Sequence, residues 1–293
     1  MLKLFYNSKL KKKNNKSFSL IELSIVLIII GLLITGVVGS KILMKKARLS
    51  GARLLTLSSP IPQIEDLVYW LEPVLDGAFQ DVNGATVEWG GKVNTWVNKA
   101  GFSGKMSANA TQTTDSLRPI ALEEGVNKLP VLSFTNASLI LNNSPKFTNE
   151  FTLFFVGTQT TTSTQVYLMG GSGWGASPAL LSNSTTAFTW YNPNESEVIS
   201  TTASSGLHAI ALRRKDKEDL DIFFDGALAV SKQASTADAN DFEGDSLVSI
   251  GSEDGIICNY VGEIAEIAIY DRFLTDDEIL KIQNYFMQKY KIN

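Results

Sequence analysis

At 293 residues, with 44% hydrophobic and 19% charged content, the chain is long enough to bury a substantial core, and its composition is neither fibrous nor disordered. Six of its 26 basic residues precede Phe18 with no acidic one among them. That leaves 20 basic against 30 acidic residues, a balance that argues against nucleic-acid binding as the main task. One histidine and one cysteine exclude a multi-histidine metal centre and an intrachain disulfide.

Residues 1–17 read as a leader holding Lys3, Lys9, Lys11, Lys12, Lys13 and Lys16, which gives way at Phe18 to an apolar run ending at Val38. From Leu23 to Ser40 there are eighteen uncharged residues in a row. A secretory signal core is shorter, roughly 7–15 residues. Roughly 20 apolar residues cross a bilayer and leave a basic flank in the cytoplasm, so a membrane-spanning helix over about residues 20–40 is expected. It holds one carboxylate, Glu22, whose burial at that depth costs about 2.5 to 3.5 kcal/mol on insertion scales and needs a partner or a purpose.

Helical character continues through Lys41–Ser58, where Ile42, Leu43, Leu49, Leu54 and Leu57 mix with Lys45, Lys46, Arg48 and Arg53. Pro60 and Pro62 end it. A helix over residues 18–58 would be about 60 Å long at the usual rise, and residues 59–66 read as a short stiff linker to a domain over 67–293.

From Leu67 the texture changes to short strands separated by turns. Leu129–Thr135, Ala137–Asn142, Glu150–Thr158, Thr164–Gly170 and Ser246–Ser252 all have strand character. His208–Ser231 reads as two strands around a charged turn, with Asp225-Gly226 as the hairpin signal leading to a third. Cys258 lies in an apolar strand-like run and reads as a buried, inert thiol. One helix follows over Thr275–Lys291, opened by a Thr275/Glu278 capping box, with Ile279, Ile282, Phe286 and Tyr290 on roughly one face. Many short strands in such a length favour an all-β sandwich or jelly roll.

Two resemblances follow from these residues. Lys16–Ile34 resembles the processing segment of a type IV prepilin. The resemblance implies cleavage by a prepilin peptidase between Ser17 and Phe18, N-methylation of Phe18, and use of Glu22 to neutralise the amino terminus of a neighbouring subunit during filament assembly. Two opposite charges in an apolar bundle cost less together than apart. Ser17 stands where that family commonly has Gly.

Leu67–Pro73, Val93–Gly101 and the tail from Gly262 resemble, in order, landmarks of a laminin-G-like, concanavalin A-like jelly roll. The likeness covers residues 67–292, and the tail is its most specific part. Glu72 and Asn98 stand where that family more often has Asp, which implies a weaker hold on local turns or on a cation.

Function has to be argued from sites, because this fold hosts binding and hydrolytic members alike. Glu263 and Glu266 are three apart, so strict strand alternation points them to opposite faces and makes a poor catalytic dyad. Asp219 and Asp221 have even spacing but border a hairpin turn, where charges usually meet solvent. His208 reads as packing, and Gly170–Gly175 lacks the ending of a phosphate-binding loop and reads as a flexible loop. No catalytic residue and no required cofactor is expected.

Calcium is the one cation considered, with Asp238, Asp241 and Asp245 as candidate ligands; solvated acidic loops are commoner. Trp174, Trp190 and Tyr191 are the candidate platform for a glycan or surface-protein ligand, against the alternative that they fill the core.

The sequence thus reads as a minor or specialised type IV pilin-like subunit. It would insert in the inner membrane, assemble with other pilin subunits and display a lectin-like head outside the cell for adhesion. The alternatives are a periplasm-spanning pseudopilin with a structural head and a membrane-anchored surface hydrolase.

Overall fold

The structure is a computed structural model that describes residues 20–100, 108–142, 150–159, 166–171, 179–182, 187–192, 197–202, 206–215, 219–233, 248–253, 255 and 260–292. It divides into two compact units, residues 1–48 and 49–293.

The described part of the first unit is the start of a helix, α1 (Leu20–Leu57). Leu20, Ile21, Leu23, Leu27, Ile28, Leu32 and Leu33 are all exposed on it. Among the described residues no helix is long and apolar enough to cross a membrane. The side chains of residues 34–39, inside the run that the sequence marks as spanning, lie outside the described set.

The second unit contains the last turns of α1, a two-sheet sandwich and α2 (Asp276–Tyr290). Its strands are β1 (Leu67–Leu71), β2 (Phe79–Gln80), β3 (Thr95–Trp96), β4 (Ala110–Thr111), β5 (Ile120–Leu122), β6 (Val131–Phe134), β7 (Leu139–Leu141), β8 (Glu150–Gln159), β9 (Val166–Gly170), β10 (Ala179–Ser182), β11 (Ala187–Asn192), β12 (Glu197–Thr202), β13 (Gly206–Lys215), β14 (Asp219–Phe224), β15 (Ala227–Gln233), β16 (Ser249–Ile250) and β17 (Gly262–Tyr270). One sheet has the order β15, β14, β13, β8, β17, β6, β5, with β1 also pairing on β17. The other runs β12, β11, β10, β9, β16, β7, β4, β3, β2. All the pairings are antiparallel, as a jelly-roll-like sandwich requires.

The two-sided burial of the first sheet explains its sequence. Phe151, Leu153 and Phe155 of β8 enter the inter-sheet core with Leu168, Leu180 and Trp190, whereas Phe154 and Val156 face a second core under α2. A strand buried on both faces reads as a continuous apolar run instead of an alternating one. Small residues on the helix-facing side, Ala209, Ala211, Ala265 and Ala268, let α2 approach closely. Its Ile279, Ile282, Phe286 and Tyr290 are buried there, and its N-terminus carries the expected capping box.

Two features differ from the sequence reading. The short stiff linker expected at residues 59–66 is docked at its start, where Ser59 and Ile61 are fully buried and the Tyr270 hydroxyl donates to the Ile61 carbonyl at 2.8 Å. Strict alternation also fails in β17, where the register against β8 shifts between Ile264 and Glu266. Ile264 and Ile267 therefore both enter the inter-sheet core, and Ala265 and Ala268 the helix-facing one.

Candidate functional site

Four elements of the head bring their polar side chains to one buried point. The capped, amphipathic α2 places Lys289 inward; β1 and the residue after it bring Trp70 and Glu72; the bulge of β17 brings Glu266; the last turn of α1 brings Thr56. The Lys289 ammonium donates to Glu72 Oε1 at 2.6 Å, Glu266 Oε2 at 2.8 Å and the Tyr285 hydroxyl at 3.0 Å, which uses all three of its protons. Glu266 also accepts from Trp70 Nε1 at 2.7 Å, Tyr290 at 2.8 Å and Tyr285 at 3.1 Å. Glu72 accepts from Thr56 at 3.2 Å, and from the backbone N–H of Val74 at 2.9 Å and of Leu75 at 2.8 Å.

The electrostatics follow from one ammonium facing two carboxylates without water. Burial pushes the Glu266 carboxyl up, Lys289 opposes it, and the charge of Glu72 adds to the rise. Burial alone would lower Lys289, but Glu266 and Glu72 outweigh it and hold its pKa well above the ordinary lysine value. The Tyr285 and Tyr290 hydroxyls are raised by burial first and by Glu266 second. With its acceptors occupied and its surface gone, the cluster is a joint between elements and offers nothing to a substrate.

This geometry corrects the reading of Glu72 and Asn98. Glu72 holds the turn after β1 with one oxygen while pairing with Lys289 through the other. Asn98 holds its turn without charge, accepting from the N–H of Trp70 at 2.8 Å and of Ala100 at 2.9 Å and donating to Val68 at 3.0 Å.

A second place is open to solvent. A groove of about 140 Å³ lies between Leu49 and Arg53 of α1, Val74 and Asp76 after β1, Phe79 of β2, and Trp89. Arg53 donates through Nε to the Val74 carbonyl at 3.1 Å and pairs its guanidinium with Asp76. The Trp89 loop is pinned on both sides, by Val87 N–H to Phe79 at 3.1 Å and by Gly90 N–H to Ala121 at 2.7 Å. Gly90 takes a φ of +87°, which glycine adopts without strain. Trp89 is 45% exposed, whereas Trp70, Trp96 and Trp190 are buried. Sequence reasoning passed over Trp89, although a tryptophan before Gly90-Gly91 in a polar turn was the available signal.

The remaining candidates separate as follows. Glu22 lies exposed in the first turn of α1, while Ser17 and Phe18 lie outside the described residues. Trp190, considered as a ligand platform, is fully buried and packs on Phe151 with ring centres 5.3 Å apart. Trp174, Cys258, most of the Gly170–Gly175 loop and the calcium candidates Asp238, Asp241 and Asp245 lie outside the described residues, as does the side chain of Tyr191.

His208 is buried, with Nδ1 at 2.7 Å from Asp225 and its ring on Phe224. Asp219 is exposed, but Asp221 is buried and receives Arg213 Nε at 2.7 Å, so it does not meet solvent as a turn residue would. Glu263 is partly buried beside Val126, and its carboxyl is raised by burial.

Comparison with known proteins bears on both ends of the chain. Residues 134–280 match the family model described as the concanavalin A-like lectin/glucanases superfamily. Residues 12–38 match the prokaryotic N-terminal methylation motif. A search of curated proteins finds no match. Among solved structures, Trypanosoma rangeli sialidase in complex with sialic acid aligns over 77% of this chain and 33% of its own, at 14% identity and a TM-score of 0.51. A mutant of that sialidase displaying trans-sialidase activity aligns over 78% and 34%, at 12% identity and a TM-score of 0.50. The chain therefore spans about a third of the length of these sialidases, and the likeness is one of fold.

Proposed function

The chain belongs to the concanavalin A-like lectin/glucanases superfamily, and from that premise we propose that it is a type IV pilin-like subunit, minor or specialised, displaying a lectin-like head for adhesion or surface recognition. In this reading the apolar run up to Ser40 inserts in the inner membrane, a prepilin peptidase cuts between Ser17 and Phe18, and Phe18 is methylated. Glu22 then meets the new amino terminus of a neighbouring subunit, where pairing offsets the cost of a carboxylate in an apolar bundle.

One observation carries the proposal. The methylation motif over residues 12–38 runs into a helix that continues to Leu57, and its last turns are built into the head through the buried Ala52 and Thr56. A head joined in this way is carried by whatever the helix assembles into. We read the head as a binding module without catalysis, supported by the enclosure of Glu266 and the ion pair of Asp221. The test is mass spectrometry of the native N-terminus in sheared surface filaments and in membranes. Methylated Phe18 in the filament fraction is the expected result, and an intact Met1 confined to membranes overturns the proposal.

A further inference from the structure

We propose that the groove beside Trp89 is a binding site for a single neutral sugar ring, an inference that rests on the lectin-like reading of the head. Its volume, about 140 Å³, falls below the roughly 300 to 1,000 Å³ that enclose drug-sized ligands, so it has room for one ring. Trp89 offers an exposed indole on a loop fixed by two backbone hydrogen bonds, a rigid apolar face for the C–H side of a pyranose. Val74, Phe79 and Pro130 extend that apolar wall.

Opposite polarity is supplied in the same groove. Among the described residues, Arg53 and Asp76 are its only charged lining residues, and they pair with each other. A guanidinium beside a carboxylate presents donors and acceptors side by side, which suits vicinal hydroxyls because each hydroxyl both donates and accepts. The pairing also sets the ligand's charge. Arg53 is already paired with Asp76, and Lys99 donates to the Asp76 backbone carbonyl at 3.2 Å, so both nearby cations are engaged before a carboxylate arrives, and a neutral ring, which needs no ion pair, is preferred.

The experiment uses the full chain in detergent. It is applied to a glycan array, and the neutral methyl glycosides that bind, together with sialic acid, are then titrated against wild type, Trp89→Ala and Trp89→Phe. The expected result is binding of neutral rings that weakens about tenfold or more in Trp89→Ala and is largely kept in Trp89→Phe. The two variants should unfold within a few degrees of wild type, since the side chain is half exposed. Unchanged glycan binding in Trp89→Ala overturns the groove while leaving the lectin reading standing. Binding of sialic acid alone overturns the neutral-ligand assignment. Absence of any glycan binding by wild type removes the lectin reading and this inference with it.

Discussion

Lys289 holds two buried carboxylates whose hydrogen bonds it cannot share with water. Replacing it with Met keeps the length of the side chain but orphans both charges, and breaking a buried pair in this way typically costs about 3 to 5 kcal/mol. Chemical denaturation of Lys289→Met should show a loss of that order at neutral pH. Because the lysine pKa lies above its ordinary 10.5 in the folded state, its contribution is complete below that value and fades only as pH rises past it. In the acid direction the deficit should shrink, since protonation discharges Glu266, whose carboxyl is already raised. A deficit that stays constant down to acid pH would show that packing, and not charge, is what Lys289 supplies.

The closing helix is governed by its first turn. Glu278 receives the N–H of Thr275 at 2.9 Å and Arg272 at 2.7 Å, and the Arg272 hydrogen bond is the first reason its pKa falls from 4.5 to about 2. Glu278→Gln should destabilise the head by about 1 kcal/mol at neutral pH, through loss of the charge that pairs with Arg272, since Gln can still complete the capping box. A depressed carboxyl contributes above its unfolded value and loses that contribution as pH falls toward the folded one. The gap between wild type and variant should therefore close between about pH 4.5 and 2 in acid-denaturation curves. A gap that does not change with pH would assign the effect to shape alone.

This helix, the Asp225-Gly226 turn and the existence of β8 were legible from sequence because each is written in local spacing, whereas the burial of β8 on both faces emerged only with the helix packed behind it. The bulge in β17 was not legible, because it depends on pairing with β8, more than a hundred residues upstream. Ser59–Asp66 looked like a linker because Pro60 and Pro62 mark a stop, and the docking of Ile61 involves Tyr270, far along the chain. The candidate ligand residue Trp190 went to the core, while Trp89, which the sequence reading passed over, went to the surface, a choice that residue type alone does not make.

At the scale of the whole molecule, the boundary of the head falls inside α1, at Leu49. A chain starting there keeps Ala52, Leu55 and Thr56 in place, whereas one starting at Ser59 strips them from the second core and leaves Glu72 without Thr56. The shorter chain should be less stable by about 2 to 4 kcal/mol, from lost apolar burial and a lost buried hydrogen bond. Equal denaturation midpoints for the two would show that the helix end adds nothing. The Glu72–Lys289 bond spans 217 positions of sequence, and β1 can pair only once β17 exists. Contacts of such separation form late, because loop closure precedes any reward. If the head is exported as proposed, the core under α2 cannot close while the chain is still crossing the membrane, so the same joint that later locks the head leaves the travelling chain open until its last helix has followed.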